Sequence, residues 1–405
     1  MTFPRNWQTQ RSRFLFDRRD VRGADAPLAS ATKTGVALRS DLEYSVWNPN
    51  SDVSNYKLVE PDDFVIGLRS FQHGISHSAV RGIVSPAYTV LRPRDSLDAR
   101  FVKHYFRSNL LISHLANITQ GIRQGQAIDI EAFKDLTMPV PSLEEQRRIA
   151  DFLDVETSKI DGISSLAEEA GKLSRARRTA VIDWELSRIP DSYVIPAGRA
   201  CDAIYDCVNK TAPITNTPTP FRMIRTSNIR MGRVDVEETF RVTEQTFKEW
   251  NRRGAPRAGD ILFTRQAPVG EAGLLTSNAQ VFLGQQVMLY RPNIEVMLPQ
   301  FLLLNFLSSF MKRQFALASD GAAHAHMRVH DCLKLRVYRP ALDIQTEIID
   351  RVSSSLNHSD ALHAATTRQV ALLAERRQAL VTAAVTGQFD VSTASGRNVT
   401  DGVQA

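Results

Sequence analysis

The segment Pro141-Ser-Leu-Glu-Glu-Gln146-Arg-Arg-Ile149-Ala-Asp151 returns as Pro340-Ala-Leu-Asp-Ile-Gln345-Thr-Glu-Ile348-Ile-Asp350, at an offset of 199. The same offset carries Asp161 onto Asp360 and Arg177-Arg178 onto Arg376-Arg377. Upstream it carries Arg92-Pro93 onto Arg291-Pro292. Repeats of roughly 20–50 residues build solenoids. A repeat of this length is instead a whole domain with its connector. A chain duplicated in this way can present two similar surfaces, related by near two-fold symmetry, to something that is itself extended.

The 405 residues are enough for two or three ordinary cores. A hydrophobic fraction of 43% and a charged fraction of 23% are those of a soluble globular protein. No apolar run reaches the roughly 18 residues of a membrane span, and the N-terminus lacks an apolar signal core. Cys201, Cys207 and Cys332 do not make a disulfide framework, so a reducing cytoplasm is expected. The net charge is +6, and its distribution says more than its size. Arg5, Arg11, Arg13, Arg18, Arg19 and Arg22 crowd the N-terminus against Asp17 and Asp20. The stretch from Phe221 to Gln266 is also basic, whereas residues 144–190 are slightly acidic. Basic globes on a near-neutral connector suit a polyanion touched at two places; an ordinary solvated surface is the competing reading.

Along the chain, short apolar runs at Asp63–Leu68 and Ala87–Arg92 predict strands. Helical spacing of Phe101, Tyr105, Leu110, Leu111 and Leu115 predicts one helix over about 98–116. A Gly/Gln-rich loop follows at 119–127. From Ser142, a capping residue with Glu145 three positions on, the pattern becomes that of a long helix. Ile149, Leu153, Ile160, Ile163 and Ala167 form its apolar seam, and Gly162 and Gly171 are points of weakness. Residues 191–340 repeat the first globe, with strands at Gly259–Thr264 and Val287–Pro292 and a helix over about 298–317. A second long helix over about 342–386 carries Ile348, Val352, Leu356, Leu362 and Leu373. The expected fold class is therefore a duplicated mixed α/β globe, each copy followed by a long helix, with the two helices paired as an antiparallel coiled coil. Its segments are 1–141, 142–189, 190–340, 341–388 and a disordered tail, 389–405.

The Pro-x-Leu-Glu-Glu-Gln-Arg-Arg-Ile-Ala segment, its following helix ending near Arg-Arg, and the return of both about 200 residues later resemble the specificity subunit of type I restriction–modification systems. Gly259-Asp-Ile-Leu262 and the glycine/glutamine loop at 121–126 add to the resemblance, which covers nearly the whole chain. It implies that each globe is a target recognition domain reading one half of a split duplex DNA sequence. It implies that the paired helices fix the unread gap and dock methyltransferase subunits, and that restriction subunits join to complete the complex. It implies no catalysis and no cofactor on this chain, with S-adenosylmethionine, ATP and magnesium on the partner subunits. Two departures stand out. The second copy lacks the Glu-Glu and Arg-Arg of the first, and the chain opens on arginines rather than on a tryptophan-containing segment, although Trp7 is near.

Reading DNA requires donors and acceptors on base edges, with Arg and Lys on phosphates. In the first globe Arg69, Gln72, His73, Ser76, His77 and Arg81 are candidates, the alternative being a polar loop bonded only to itself. Arg123, Gln124 and Gln126 stand among glycines that permit close backbone approach; a buried loop whose glutamines cap strands reads equally well. In the second globe the candidates are Arg225, Asn228, Arg230, Arg265, Gln266, His324, His326 and Arg328. His324-x-His326 lacks the further ligands of a zinc site. Arg177, Arg178, Arg376 and Arg377 fit helix salt bridges or partner docking better than DNA. There is no phosphate-binding glycine loop and no dinucleotide fingerprint, and Asn48-Pro49-Asn50 reads as a turn. Two other functions remain open: a coiled-coil adaptor whose globes bind protein, and a DNA-modifying enzyme with degenerate motifs.

Overall fold

Phe64–Ile66 lies inside a four-stranded antiparallel sheet ordered Phe16–Arg19, Thr89–Pro93, Phe64–Ile66, Ser76–His77. The computed structural model describes residues 3–42, 52–120, 127–266, 268–319 and 326–393. These divide into two compact units, one holding the described residues up to Glu168 and from Thr367 onward, the other running from Glu169 to Thr366.

In the first unit the sheet is covered on both faces, which explains the unbroken apolar run. Phe64, opposite Leu91, faces a core shared with Phe16, Phe101, Phe106 and Phe133. Val65, opposite Val90, faces a smaller core with Ala29, Val59 and Val84 from two short strand pairs. The second unit repeats this logic in a six-stranded sheet: Cys201–Asp206, Val287–Pro292, Ile261–Thr264, Ala272–Leu274, Gly232–Val234, Ile229–Arg230. Ile261 and Phe263 face one core and Leu262 the other. A separate three-stranded sheet orders Phe240–Arg241, Arg222–Ile224 and Val281–Leu283.

The single helix expected in each globe is two. Ala99–Tyr105 and Asn109–Asn117 are divided at Ser108, Pro299–Leu307 and Ser309–Ser319 at Ser308. Each serine hydroxyl donates to the carbonyl three residues back, Tyr105 or Asn305, at 2.7 Å. Each also accepts from the amide three residues ahead, Leu111 at 3.3 Å and Met311 at 3.2 Å. The same side chain thus ends one helix and caps the next.

The first long helix, Leu143–Ser187, runs through Gly162 and Gly171 without a break, and Ser142 caps it by accepting from the Glu145 amide at 3.3 Å. In each unit a stretch of this helix packs antiparallel on a stretch of the second, Leu342–Val385. In the first unit Ile149, Leu153 and Ile160 share a core with Leu380, Val381 and Ala384, with Leu373 beside it, and Arg377 pairs with Asp161 at 2.9 Å. In the second, Ile348, Val352 and Leu356 share a core with Ile182 and Leu186, and Arg351 pairs with Glu185 at 2.9 Å. The buried face also takes Ala167. Ile163 and Leu362, expected in the seam, are 44% and 48% exposed. Three- and four-residue steps from Ile160 and Ala167 lead instead through Gly171 to Ser174, which is buried and bonded to Ser359 at 2.9 Å. Hydroxyls occupy the seam there, so a search for apolar periodicity misplaces it. At the chain's end Phe389 packs on Phe152, ring centroids 5.6 Å apart, and residues 394–405 lie outside those described.

Each globe is also joined to the far end of a long helix. In the first unit the Asn109 amide donates to Thr382 Oγ1 at 3.1 Å. In the second the Ser309 amide donates to Asp183 Oδ1 at 2.8 Å. The acceptors, at 183 and 382, are again 199 positions apart.

Candidate nucleic-acid interface

Two echoed residues turn out to serve the fold. Arg92 pairs with buried Asp63 at 2.7 Å, and Arg291 with buried Asp260 at 2.7 Å. Burial pushes the Asp63 carboxyl up, and the Glu60 amide with Arg92 and Arg19 offsets part of that. The arginine-rich N-terminus is similarly committed: Arg11 and Arg13 lie against Asp135, Arg22 against Asp20 and Arg19 against Glu60.

In the first unit the candidates fall into two groups. Arg69, Gln72 and His73 are exposed, on or just before the short helix Ser70–His73. That helix is held by Ser70 Oγ, which accepts from the Gly67 amide at 2.9 Å, and by Arg107, which donates to the His73 carbonyl at 2.8 Å. Gly74 follows at φ 81°, where a Cβ would sit 2.1 Å from the Phe106 carbonyl oxygen. Only glycine lets this turn lie so close to the helix beneath. Arg69 and His73 line a cleft of about 610 Å³ together with Lys33, Thr32, Leu68 and Tyr88. Lys33 and Tyr88 escaped the sequence reading because they come from separate loops; the only local signal was the Lys33-Thr34-Gly35 turn. The other group is bound into the fold. Ser76 is buried and donates to the Thr32 carbonyl at 3.0 Å. His77 Nε2 is 3.0 Å from Asp62 Oδ1, and its ring packs on Phe64. Arg81 is exposed and donates to the Asp25 carbonyl at 3.1 Å. Arg123, Gln124 and Gln126 lie outside the described residues, as do Asn48-Pro49-Asn50. The strands Thr119–Gln120 and Ala127–Ile128 that flank the glycine/glutamine loop pair with each other.

In the second unit the structure brings two distant candidate segments together: Gln266 bridges to His326, and the Met327 amide donates to the Arg265 carbonyl at 3.0 Å. Arg265 itself is 5% exposed, donates to the Met327 carbonyl at 3.1 Å and pairs with Asp206 at 3.1 Å. Its charge is thus spent inside the fold, which corrects its expectation as a surface contact. Asn228 is corrected likewise. It is buried, its Oδ1 accepts from the Arg225 amide at 3.0 Å and its Nδ2 donates to the Glu238 carbonyl at 2.8 Å. Arg225 lies 4.0 Å above the Phe240 ring, a cation–π contact. Arg230 and Arg328 are exposed, and His324 lies outside the described residues. Burial pushes the Cys201 and Cys332 thiols up to about 12, which leaves both as packing residues rather than nucleophiles. Among the described residues no cluster of His, Cys, Asp and Glu could hold a metal ion, and no helix is long and apolar enough to cross a membrane.

The first unit therefore offers exposed guanidinium, amide and imidazole groups at Arg69, Gln72 and His73, and the second offers exposed guanidinium groups at Arg230 and Arg328 beside half-buried Gln266 and His326, the chemistry that reads base edges and phosphates. A family model described as the type I restriction modification DNA specificity domain matches residues 48–169 and again 208–372. The specificity subunit of type I restriction enzyme EcoBI, from Escherichia coli, is 20% identical over 356 residues, covering 82% of this chain and 74% of that protein. The specificity subunit of EcoKI, from Escherichia coli strain K12, is 22% identical over 371 residues, covering 85% and 78%. A solved chain from work on complex assembly and conformational transition of the type I R-M system matches with a TM-score of 0.59 at 17% identity, covering 96% of this chain and all of that one. At that identity the likeness is one of fold.

Proposed function

The chain belongs to the type I restriction modification DNA specificity family, and we propose that it is the DNA-recognition subunit of such a complex, reading a split duplex sequence with one half assigned to each globe. The observation that carries this is the double match: each copy spans most of a globe and runs on into the long helix that follows. Methyltransferase and restriction subunits are its protein partners. We assign residues 1–141 and 190–340 to recognition, the helices at 142–189 and 341–388 to spacing and methyltransferase docking, and 389–405 to the tail. S-adenosylmethionine belongs to the methyltransferase subunit, ATP and magnesium to the restriction subunit, and the chain works in the cytoplasm, where the cell's duplex DNA is. Of the contact residues, Arg69, Gln72 and His73 are assigned to one half-site and Gln266, His326 and Arg328 to the other.

The test is genome-wide mapping of N6-methyladenine in cells that express this chain with its methyltransferase partner, against cells lacking this chain alone. A motif of two short halves around a fixed gap, lost with the deletion, is the expected result. An unchanged methylation pattern from an active methyltransferase overturns the reading.

A further inference from the structure

We propose that two opposed arginine pairs in the second unit, Arg222 with Arg241 and Arg230 with Arg233, hold the phosphate backbone of the duplex rather than its bases. The inference rests on the DNA-recognition reading above and gives it residues and a chemical role.

Arg222 and Arg241 are directly opposite one another in antiparallel strands, and so are Arg230 and Arg233. Residues paired in this way share a face of the sheet, with Cβ atoms about 5 Å apart, and like charges there are destabilising. Residues 222–241 contain five arginines (Arg222, Arg225, Arg230, Arg233, Arg241) and three carboxylates (Asp235, Glu237, Glu238). Among the described residues none of these five arginines is ion-paired. Asp235, two residues after Arg233, turns its Oδ1 to the backbone, accepting from the Glu237 amide at 2.9 Å and the Glu238 amide at 3.2 Å. Among the described residues Arg230 donates to the Thr226 and Ile229 carbonyls, at 2.8 and 2.7 Å, and Arg222 to the Glu237 carbonyl at 3.5 Å. Carbonyl groups take a few of the donors and leave the charge unbalanced. Two exposed arginines of the first unit are paired instead, Arg94 with Asp17 at 2.7 Å and Arg100 with Asp151 at 2.6 Å.

The opposition is built in. Met231 and Gly232 have φ of 50° and 84°, the two positive values of a two-residue hairpin turn, and this turn places Arg230 opposite Arg233. The turn is held by Glu271, which accepts from the Met231 amide at 3.2 Å, and by Arg178, which donates to the Met231 carbonyl at 3.3 Å. Arg230, Arg233 and Arg241 are exposed. Two arginines opposed in register, with at least one of each pair exposed, can take an anion between them. A base edge is uncharged and would not relieve the repulsion, whereas a phosphate would. Phosphate contacts position the protein and carry no sequence information.

The experiment uses the full chain assembled with its methyltransferase subunit, and two duplexes, one bearing the mapped motif and one lacking it. Arg241→Gln and Arg233→Gln should each make the slope of log K against log[salt] shallower by about 1. Affinity should fall by the same factor on both duplexes, and the methylated motif should not change. In the chain without DNA, Arg241→Glu sets a carboxylate opposite Arg222 and should raise the midpoint of thermal unfolding. Unchanged salt slopes, a loss confined to the motif-bearing duplex, or a lower midpoint for Arg241→Glu would each overturn the inference while leaving the recognition function standing. If the unmodified complex binds neither duplex, the recognition reading itself falls and the inference falls with it.

Discussion

Gln146 and Gln345 make the same three hydrogen bonds. Gln146 Oε1 accepts from the Asp98 amide at 2.8 Å, and its Nε2 donates to the Ser96 and Pro141 carbonyls at 3.0 and 2.9 Å. Gln345 Oε1 accepts from the Leu298 amide at 2.9 Å, and its Nε2 donates to the Val296 and Pro340 carbonyls at 2.9 and 2.8 Å. Both side chains are fully buried. Each clamps the first turn of a long helix to the loop that opens its globe's helical layer. The most strongly echoed motif of the chain is therefore a joint.

Gln146→Leu keeps much of the volume and strands those three backbone groups. A buried polar group without a partner costs roughly 1–3 kcal/mol, so a loss of about 3 kcal/mol is expected in denaturant unfolding of the first unit. A loss below about 1 kcal/mol would show that water or a shifted backbone replaces the clamp.

His104 is buried, with Nε2 2.9 Å from Asp154 Oδ1, and burial lowers its pKa from 6.5 to about 4 despite that carboxylate. The native state thus holds the ring neutral, while the unfolded chain takes up a proton below pH 6.5. Stability should therefore fall as pH drops from about 6.5 towards 4, by roughly 3 kcal/mol in all. Asp154 acts in a lower window. Burial alone would raise its carboxyl, but the His104 hydrogen bond and Lys103 bring it below 3.8, so its contribution is lost only as pH falls below that value. Urea titrations from pH 7 to 4.5 on the chain and on His104→Asn separate the two; the variant should lose most of the upper slope.

Arg265 tests the difference between a structural and a contacting arginine. Arg265→Ala leaves Asp206 without its ion-pair partner, and breaking a pair this buried costs on the order of 3–5 kcal/mol. Lower thermal stability without DNA is the expected result. A variant as stable as the parent chain but with an altered methylation motif would return Arg265 to the DNA surface.

Arg69 and Gln72 should behave in the reverse way. Both are exposed, so alanine at either should leave stability within about 0.5 kcal/mol. If each reads a base, its loss should weaken binding to the matched site by about 1–3 kcal/mol and relax the motif at one position of one half-site. A uniform loss on all sequences would move that residue to the phosphate class.

The order of globe, long helix, globe, long helix was legible from the sequence because its signals are local or exact. Phe64–Ile66 and Val287–Pro292 are short apolar runs, the helices announce themselves by capping and spacing, and the echo at Gln146 and Gln345 survives because an identical set of backbone partners demands an identical side chain. The break at Ser108 was less legible, since the apolar spacing continues across it while one hydroxyl redirects the backbone. Only the tertiary structure decided that Arg265 and Asn228 face inward while Arg69 and Arg230 face out. A guanidinium or amide looks the same in sequence whether an aspartate sixty residues away awaits it or water does. It also decided that Thr382 and Asp183, from the far ends of the helices, cap Asn109 and Ser309. These are long-range hydrogen bonds, and a linear pattern records a side chain's chemistry without recording which distant group the fold will bring to it.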